Sequence, residues 1–239
     1  MTVNSWLRSA QSIAYPPHCL LCGAPGQPDR DLCAGCDHDL PRLGDICATC
    51  ALPLPGATAT RCARCLQTPP PQDAAVAALD YAAPVDWLIT RLKFSRQVSH
   101  GPLLAALLAD RLAAAGTDAD MLVPVPLHPR RRRERGFNQA AEIAAGLRRH
   151  LGVPVRPDLA MRRRETGHQA DLPARERAAN VRGAFRVAAP VAGYRIAVVD
   201  DVITTGHTVA ELARTLIAAG ADRVEVWAPA RAPAPGGRQ

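Results

Sequence analysis

The sequence predicts an α/β protein, a mostly parallel sheet flanked by helices, with a small cysteine-stapled module in front. Two observations carry that expectation and a third bounds it. After residue 72, short β-branched or apolar runs alternate with longer segments of helical apolar spacing, the order that builds parallel sheets. All eight cysteines fall in the first 65 residues, in four Cys-x-x-Cys pairs. A chain of 239 residues with 48% apolar content can bury a full α/β core in its last two thirds and leaves little apolar material for the front. Pro69, Pro70 and Pro71 make a stiff linker, so the expected modules are residues 16–71 and 72–230.

The elements follow in order. Val76 to Tyr81 is apolar and reads as a strand, and Val85 to Phe94 has helical spacing. Leu103 to Ala115 is a second helix stopped at Gly116, followed by a strand at Met121 to Val125. Asn138 to Leu151 is a helix that Gly152 ends, because glycine accepts the left-handed conformation that closes helices. A loop and a short helix near Arg175 to Val181 lead to strands at Ala184 to Val187 and Ile196 to Val199. A helix at Val209 to Ala219 ends at Gly220, and Arg223 to Trp227 is the last strand. No run is long and apolar enough to span a membrane. Met1 to Pro17 carries polar residues through its middle and lacks the apolar core of a secretory signal, so a cytoplasmic protein with reduced thiols is expected.

The cysteine pairs are Cys19 and Cys22, Cys33 and Cys36, Cys47 and Cys50, Cys62 and Cys65, separated by ten, ten and eleven residues. Two such pairs supply the four thiolates of a closed tetrahedral zinc site, so eight cysteines make two structural zinc sites. A disulfide framework is the alternative, and reduced cytosolic thiols argue against it. His18 and His38 read as solvated neighbours, since eight thiols already suffice. Sequential pairing of the cysteine pairs would give a double ribbon and alternate pairing a cross-brace. With few large apolar residues between 16 and 71, metal would supply much of that segment's folding free energy.

Residues 195 to 208, Arg-Ile-Ala-Val-Val-Asp-Asp-Val-Ile-Thr-Thr-Gly-His-Thr, join a buried strand to two carboxylates and then to a loop rich in threonine and glycine. Asp200 and Asp201 therefore stand at a strand's carboxyl end, where open α/β sheets bind ligands. Gly206 lets backbone N–H groups converge on a phosphate, and Thr204, Thr205, His207 and Thr208 add donors or line the cradle. The acid pair can accept from a ribose diol and favours Mg²⁺, which bridges to substrate phosphates. Acid pair plus phosphate cradle is the pattern of a phosphoribosyl pyrophosphate site. The plainer reading is a solvated strand end and an ordinary helix entry.

This stretch resembles the signature of type I phosphoribosyltransferases. Val-Pro-Val-Pro-Leu-His-Pro-Arg (123 to 130), Arg-Glu-Arg-Gly-Phe-Asn-Gln (133 to 139) and Asn-Val-Arg-Gly-Ala-Phe (180 to 185) narrow the resemblance to the ComF family, linked to natural competence and DNA uptake. The resemblance implies a type I phosphoribosyltransferase-like fold behind a double zinc ribbon, with sequential cysteine pairing. It also implies phosphoribosyl pyrophosphate and Mg²⁺ as ligands, transferase activity on an acceptor the sequence does not identify, and single-stranded DNA and competence DNA-translocation proteins as partners. His207 departs from similar loops, which carry a small residue there. Thr166 with Gln169 repeats only a family-like spacing.

The formal charge is +7 and nearly all the positive charge is arginine, which favours polyanionic partners. Arg130, Arg131, Arg132, Arg133 and Arg135 form its densest cluster. By analogy with the resembled enzymes they would neutralise leaving pyrophosphate, the leading reading; the alternatives, in order, are a grip on nucleic-acid phosphates and a solvated run. Arg162, Arg163 and Arg164 are a weaker signal. Trp227 and Phe137 could stack on an acceptor base, although core packing is the commoner fate of such residues. No Ser-His-Asp or Cys-His pattern favours an acyl-transfer hydrolase. Two function classes stand: a working transferase, and a non-catalytic single-stranded-DNA-handling protein whose phosphoribosyl pyrophosphate pocket is a sensor or relic.

Overall fold

The computed structural model describes residues 16–56, 59–94, 97–164 and 181–234. The helix expected near Arg175 to Val181 lies outside them except for Val181, as do Thr166 and Gln169. The described residues fall into two compact units, one ending at Pro41 and the other beginning at Arg42.

In the first unit Cys19 opens a tight turn: its N–H donates to Ala24 O at 2.8 Å, and Gly23 N–H returns to Cys19 O at 2.9 Å. Gly23 takes φ +77°, which reverses the chain without a Cβ in the way. Cys33 then caps a short helix, α1 (Ala34–His38), its Sγ accepting the Cys36 N–H at 3.4 Å. Leu32 is fully buried here, but so small a core needs a staple.

The second unit repeats that turn. Cys47 N–H donates to Leu52 O and Ala51 N–H to Cys47 O, both at 2.8 Å, and Ala51 stands where Gly23 stood, with φ +57°. A non-glycine residue there is strained. Its methyl is fully buried and packs into the core that also contains Leu43, Ala75 and Val226, which offsets the strain. Helix α2 (Ala63–Gln67) follows Cys62.

Behind these come β1 (Ala74–Asp80), α3 (Val85–Phe94), α4 (His100–Ala115), β2 (Met121–Pro124), α5 (Pro129–Arg135), α6 (Gln139–Leu151), β3 (Ala160–Arg162), β4 (Phe185–Val187), β5 (Arg195–Val199), β6 (Val202–Ile203), α7 (His207–Ala218) and β7 (Arg223–Arg231). The main sheet is parallel, with strand order β1-β7-β5-β2 and β6 paired to the far end of β7. Val123, Val198 and Val226 sit side by side in register. Covered on both faces, these strands read as unbroken apolar runs. The parallel sheet flanked by helices that the sequence predicts is therefore present. The expected strand near Ala184 to Val187 is β4, which pairs antiparallel with β3 outside the main sheet.

Helix α4 buries Leu103, Leu104, Leu107, Leu108 and Leu112, so it is an interior element with apolar residues on most sides. It packs on α6 so closely that a Cβ at Gly146 would lie 2.4 Å from Ala105 Cβ. Among the described residues no helix is long and apolar enough to cross a membrane.

Candidate functional site

The eight cysteines gather as two tetrads, Cys19, Cys22, Cys33, Cys36 and Cys47, Cys50, Cys62, Cys65, each with its sulfurs within 4.8 Å of one another. Sequential pairing is thus the one the fold adopts. Cys22 and Cys33 Sγ are 3.7 Å apart, as are Cys50 and Cys62 Sγ. That is far beyond a disulfide bond and matches the edge of about 3.8 Å that a tetrahedron with ~2.3 Å zinc–sulfur bonds would have. Burial alone would push the Cys19 thiol up, but backbone N–H groups of Cys33, Cys22 and Leu21 draw it down to about 6. Cys47 is likewise held at about 6 against its burial by N–H groups of Cys62, Thr49 and Cys50. Cys36, crowded by the sulfurs of Cys22, Cys33 and Cys19, is pushed up. Four thiolates cannot coexist there without a cation between them, so the donor chemistry fits zinc.

The second feature lies at the carboxyl end of β5. The Asp200 N–H donates to Trp227 O at 3.0 Å, which carries the strand pairing one residue further and sets the acid pair at the sheet's edge. Beyond it β6 runs into Thr204, and Gly206 at φ +79° turns the chain into α7. A cavity of about 200 Å³ opens here, lined by Asp200, Asp201, Thr204, Gly206 and Thr208. Four cations, Lys93, Arg131, Arg135 and Arg162, face the two carboxylates across it.

Burial and the neighbouring Asp201 raise Asp200 to about 7, against the opposing pull of Lys93 and Arg162. Lys93 Nζ pairs with Asp201 Oδ1 at 3.1 Å. Burial would lower Lys93, yet the Asp201 charge and hydrogen bond leave it raised. Burial and repulsion from Arg131 lower Arg162. Positive charge in excess over negative, held partly out of water, suits an anionic ligand. Gln139, only 1% exposed, lines the same cavity, and its Nε2 has no hydrogen-bond partner. A buried donor without an acceptor costs free energy that an oxygen-rich ligand would return.

The loop predicted as one cradle is divided by the fold. Thr204, Gly206 and Thr208 face the acid pair's cavity, whereas Thr205 and His207 line a second cavity on the other side, where Gly206 also contributes. The arginine cluster is divided as well, because it is helical: His128 caps α5 through its ring nitrogen, Pro129 occupies the first turn, and Gly136 closes the helix at φ +83°. Arg131 and Arg135, four apart, line the cavity. Arg132 and Arg133 are exposed, and Arg130 is exposed and pairs with Glu134 at 3.0 Å. Proline followed seven residues later by glycine was the signal for this helix.

Sequence reasoning gave no role to Lys93, Asn138 or Gln139. Asn138 caps α6, its Oδ1 accepting Ala140 N–H at 3.1 Å, while its Nδ2 donates to Val125 O at 3.0 Å and ties the helix start to the strand end. Trp227 is fully buried, with Nε1 donating to Glu225 at 2.9 Å, so core packing is its role. Phe137 does not line the cavity.

Residues 10–66 match the family model described as a double zinc ribbon domain. Among solved structures, the chain is similar to glutamine phosphoribosylpyrophosphate amidotransferase from B. subtilis, with 25% identity, TM-score 0.37, and 53% of this chain and 25% of that one covered. It is similar also to adenine phosphoribosyltransferase from Thermoanaerobacter pseudethanolicus, with 15% identity, TM-score 0.35, and 57% and 83% covered. It is 39% identical over 223 residues to the DNA utilization protein YhgH of Escherichia coli K12, covering 90% of this chain and 97% of that one. With Competence protein F of Haemophilus influenzae it shares 34% over 209 residues, covering 84% and 90%. Similarity of that extent, over 90% and 84% of the chain, shows that the chain belongs to the ComF family of DNA utilization and competence proteins.

Proposed function

We propose that this chain binds phosphoribosyl pyrophosphate with Mg²⁺ in the acid-pair cavity and transfers the phosphoribosyl group to an acceptor, in the cytoplasm and in the service of DNA utilization or competence. The observation that supports it is one cavity lined by Asp200 and Asp201, by Thr204, Gly206 and Thr208, by four cations and by Gln139, whose Nε2 has no partner. Asp200 and Asp201 would accept from the ribose diol and hold Mg²⁺, which supplies charge neutralisation at the pyrophosphate. Thr204, Gly206 and Thr208 would take the 5′-phosphate, and Arg131 and Arg135 the leaving pyrophosphate. In the transfer the acceptor forms a bond to ribose C1′ and gives up its proton. The C1′–O bond breaks, and pyrophosphate departs with the electron pair. Two zinc ions in the cysteine tetrads complete the reading.

Thermal melting with phosphoribosyl pyrophosphate and Mg²⁺ tests it. A ligand that binds the folded form alone raises the melting temperature. Asp200→Asn, Asp201→Asn and Thr208→Val should each remove most of that rise while the protein stays folded. Each Asn loses a charge-assisted contact of about 1.5–3 kcal/mol, roughly ten- to a hundredfold in affinity. No rise in the wild-type protein at millimolar ligand would overturn the proposal. A second reading, single-stranded-DNA handling without transfer, is favoured by the exposure of Arg132 and Arg133 outside the cavity; salt-dependent DNA binding with no ligand-induced rise would establish it.

A further inference from the structure

The cavity behind the phosphate loop, about 260 Å³, is bounded on one side by Thr205, Gly206 and His207 and on the other by the Pro69–Pro71 segment, Gln72 and the cysteine tetrad's Cys50 and Cys65. Its floor is apolar, with Ala75, Ile203, Val209 and Val226. Two polar groups are built into it at a cost in burial. Gln72 is 5% exposed; its Nε2 donates to Thr49 O at 3.0 Å, but its Oε1 has no donor. Arg231 is 2% exposed; burial works against its charge, while the Cys50 and Cys62 sulfurs of the neighbouring tetrad favour it. Its Nε donates to Cys50 O at 2.9 Å and its Nη1 to the carbonyls of Ile203, Thr204 and Ala232, while Nη2 donates to nothing among the described residues. A third group, Arg64, stands at the rim with its side chain exposed.

A buried guanidinium whose Nη2 has no acceptor among the described residues carries an unmet donor, and a buried amide oxygen without a donor carries an unmet acceptor. Both deficits lie on the wall of one cavity. The ligand that would satisfy them has an anionic group for Arg231 and Arg64, an N–H for Gln72, and between them a flat apolar body to lie against the prolines. The volume lies below the ~300–1,000 Å³ of drug-sized sites, so the occupant is small. We propose that this cavity is a second binding site, separate from the acid pair, for a nucleoside 5′-monophosphate group: phosphate toward Arg64 and Arg231, base edge toward Gln72. The same group occurs as a free nucleotide and as the 5′-phosphorylated end of a strand.

Isothermal titration of the zinc-loaded full chain with adenosine 5′-monophosphate tests it. Arms with adenosine, inorganic phosphate, and a short single strand carrying either a 5′-phosphate or a 5′-hydroxyl separate the sources. Binding is expected for the free nucleotide or for the 5′-phosphorylated strand, with adenosine and phosphate alone weaker by tenfold or more. Arg64→Ala and Gln72→Met should each weaken it by about tenfold, the worth of one good polar contact. Arg64 is exposed, so its variant folds even if Gln72→Met does not. Asp200→Asn, which disables the other cavity, should leave it unchanged, so this inference and the transferase reading fail separately. No binding by either source at millimolar concentration, binding lost in Asp200→Asn, or binding indifferent to Arg64→Ala overturns the proposal.

Discussion

Asp200 is the residue on which pH acts. Its ordinary titration lies near pH 4, and burial beside Asp201 moves it to about 7. A carboxyl raised on folding stabilises the folded form while protonated, and that contribution is lost as pH rises between about 4 and about 7. Above pH 7 the buried charge is a burden that Asn lacks. Asp200→Asn without ligand should therefore melt higher than wild type at pH 8, with the gain shrinking as pH falls and vanishing only below about pH 4; scanning calorimetry across that range checks it. The proposed binding of phosphoribosyl pyrophosphate with Mg²⁺ would need the ionised pair, so its affinity should rise from pH 6 to pH 8. Lys93 holds Asp200 down. Lys93→Met should move the midpoint of that rise to higher pH, a shift that a purely structural lysine would not produce.

At the scale of elements, α4 and α6 meet where side chains are nearly absent. With Ala105 Cβ only 2.4 Å from where a Gly146 Cβ would be, Gly146→Ala forces the helices apart. Overpacking of this kind costs about 1–3 kcal/mol, or a melting temperature lower by roughly 2–4 °C per kcal/mol. Ala105→Gly in the same chain should restore part of the loss, and a melting series of the two singles and the double measures the coupling. Helix α5 divides its arginines by phase: Arg131 and Arg135 line the cavity, and Arg132 and Arg133 are exposed. Arg131→Ala should weaken phosphoribosyl pyrophosphate. The Arg132→Ala, Arg133→Ala pair should spare it and flatten the salt dependence of single-stranded DNA binding by about two counterions.

For the whole molecule, the second cysteine tetrad and the acid-pair loop are linked through one guanidinium. Arg231 donates to Cys50 O on one side and to Ile203 O on the other, so the second tetrad props the loop that leads to Thr204. Elemental analysis should find two zinc ions per chain, and a value near zero in reduced, unchelated protein would remove the zinc reading. Cys33→Ser should cost one equivalent and keep ligand affinity, because the loop's supports all lie after Arg42. Cys62→Ser should cost one equivalent and weaken the ligand too, as melting with and without phosphoribosyl pyrophosphate would show.

Local pattern determined much of this protein. Alternating apolar runs placed Val85–Phe94 to the residue and most other elements within a few, since periodicity is a property of neighbours along the chain. The same holds for the four Cys-x-x-Cys pairs and for Asp200 and Asp201 at a strand's end. The β3–β4 pair, the short strand β6 and the partner of each charge lay outside that reach. Lys93 meets Asp201, and Gln139 lines the acid pair's cavity, only because β1, β7, β5 and β2 assemble in that order and bring distant helices to one edge. Tertiary structure alone decided which sides of the phosphate loop and of the arginine helix face the acid pair. A sequence records which side chains are available, but the faces they present depend on the rotation of each element against the core, and packing sets that.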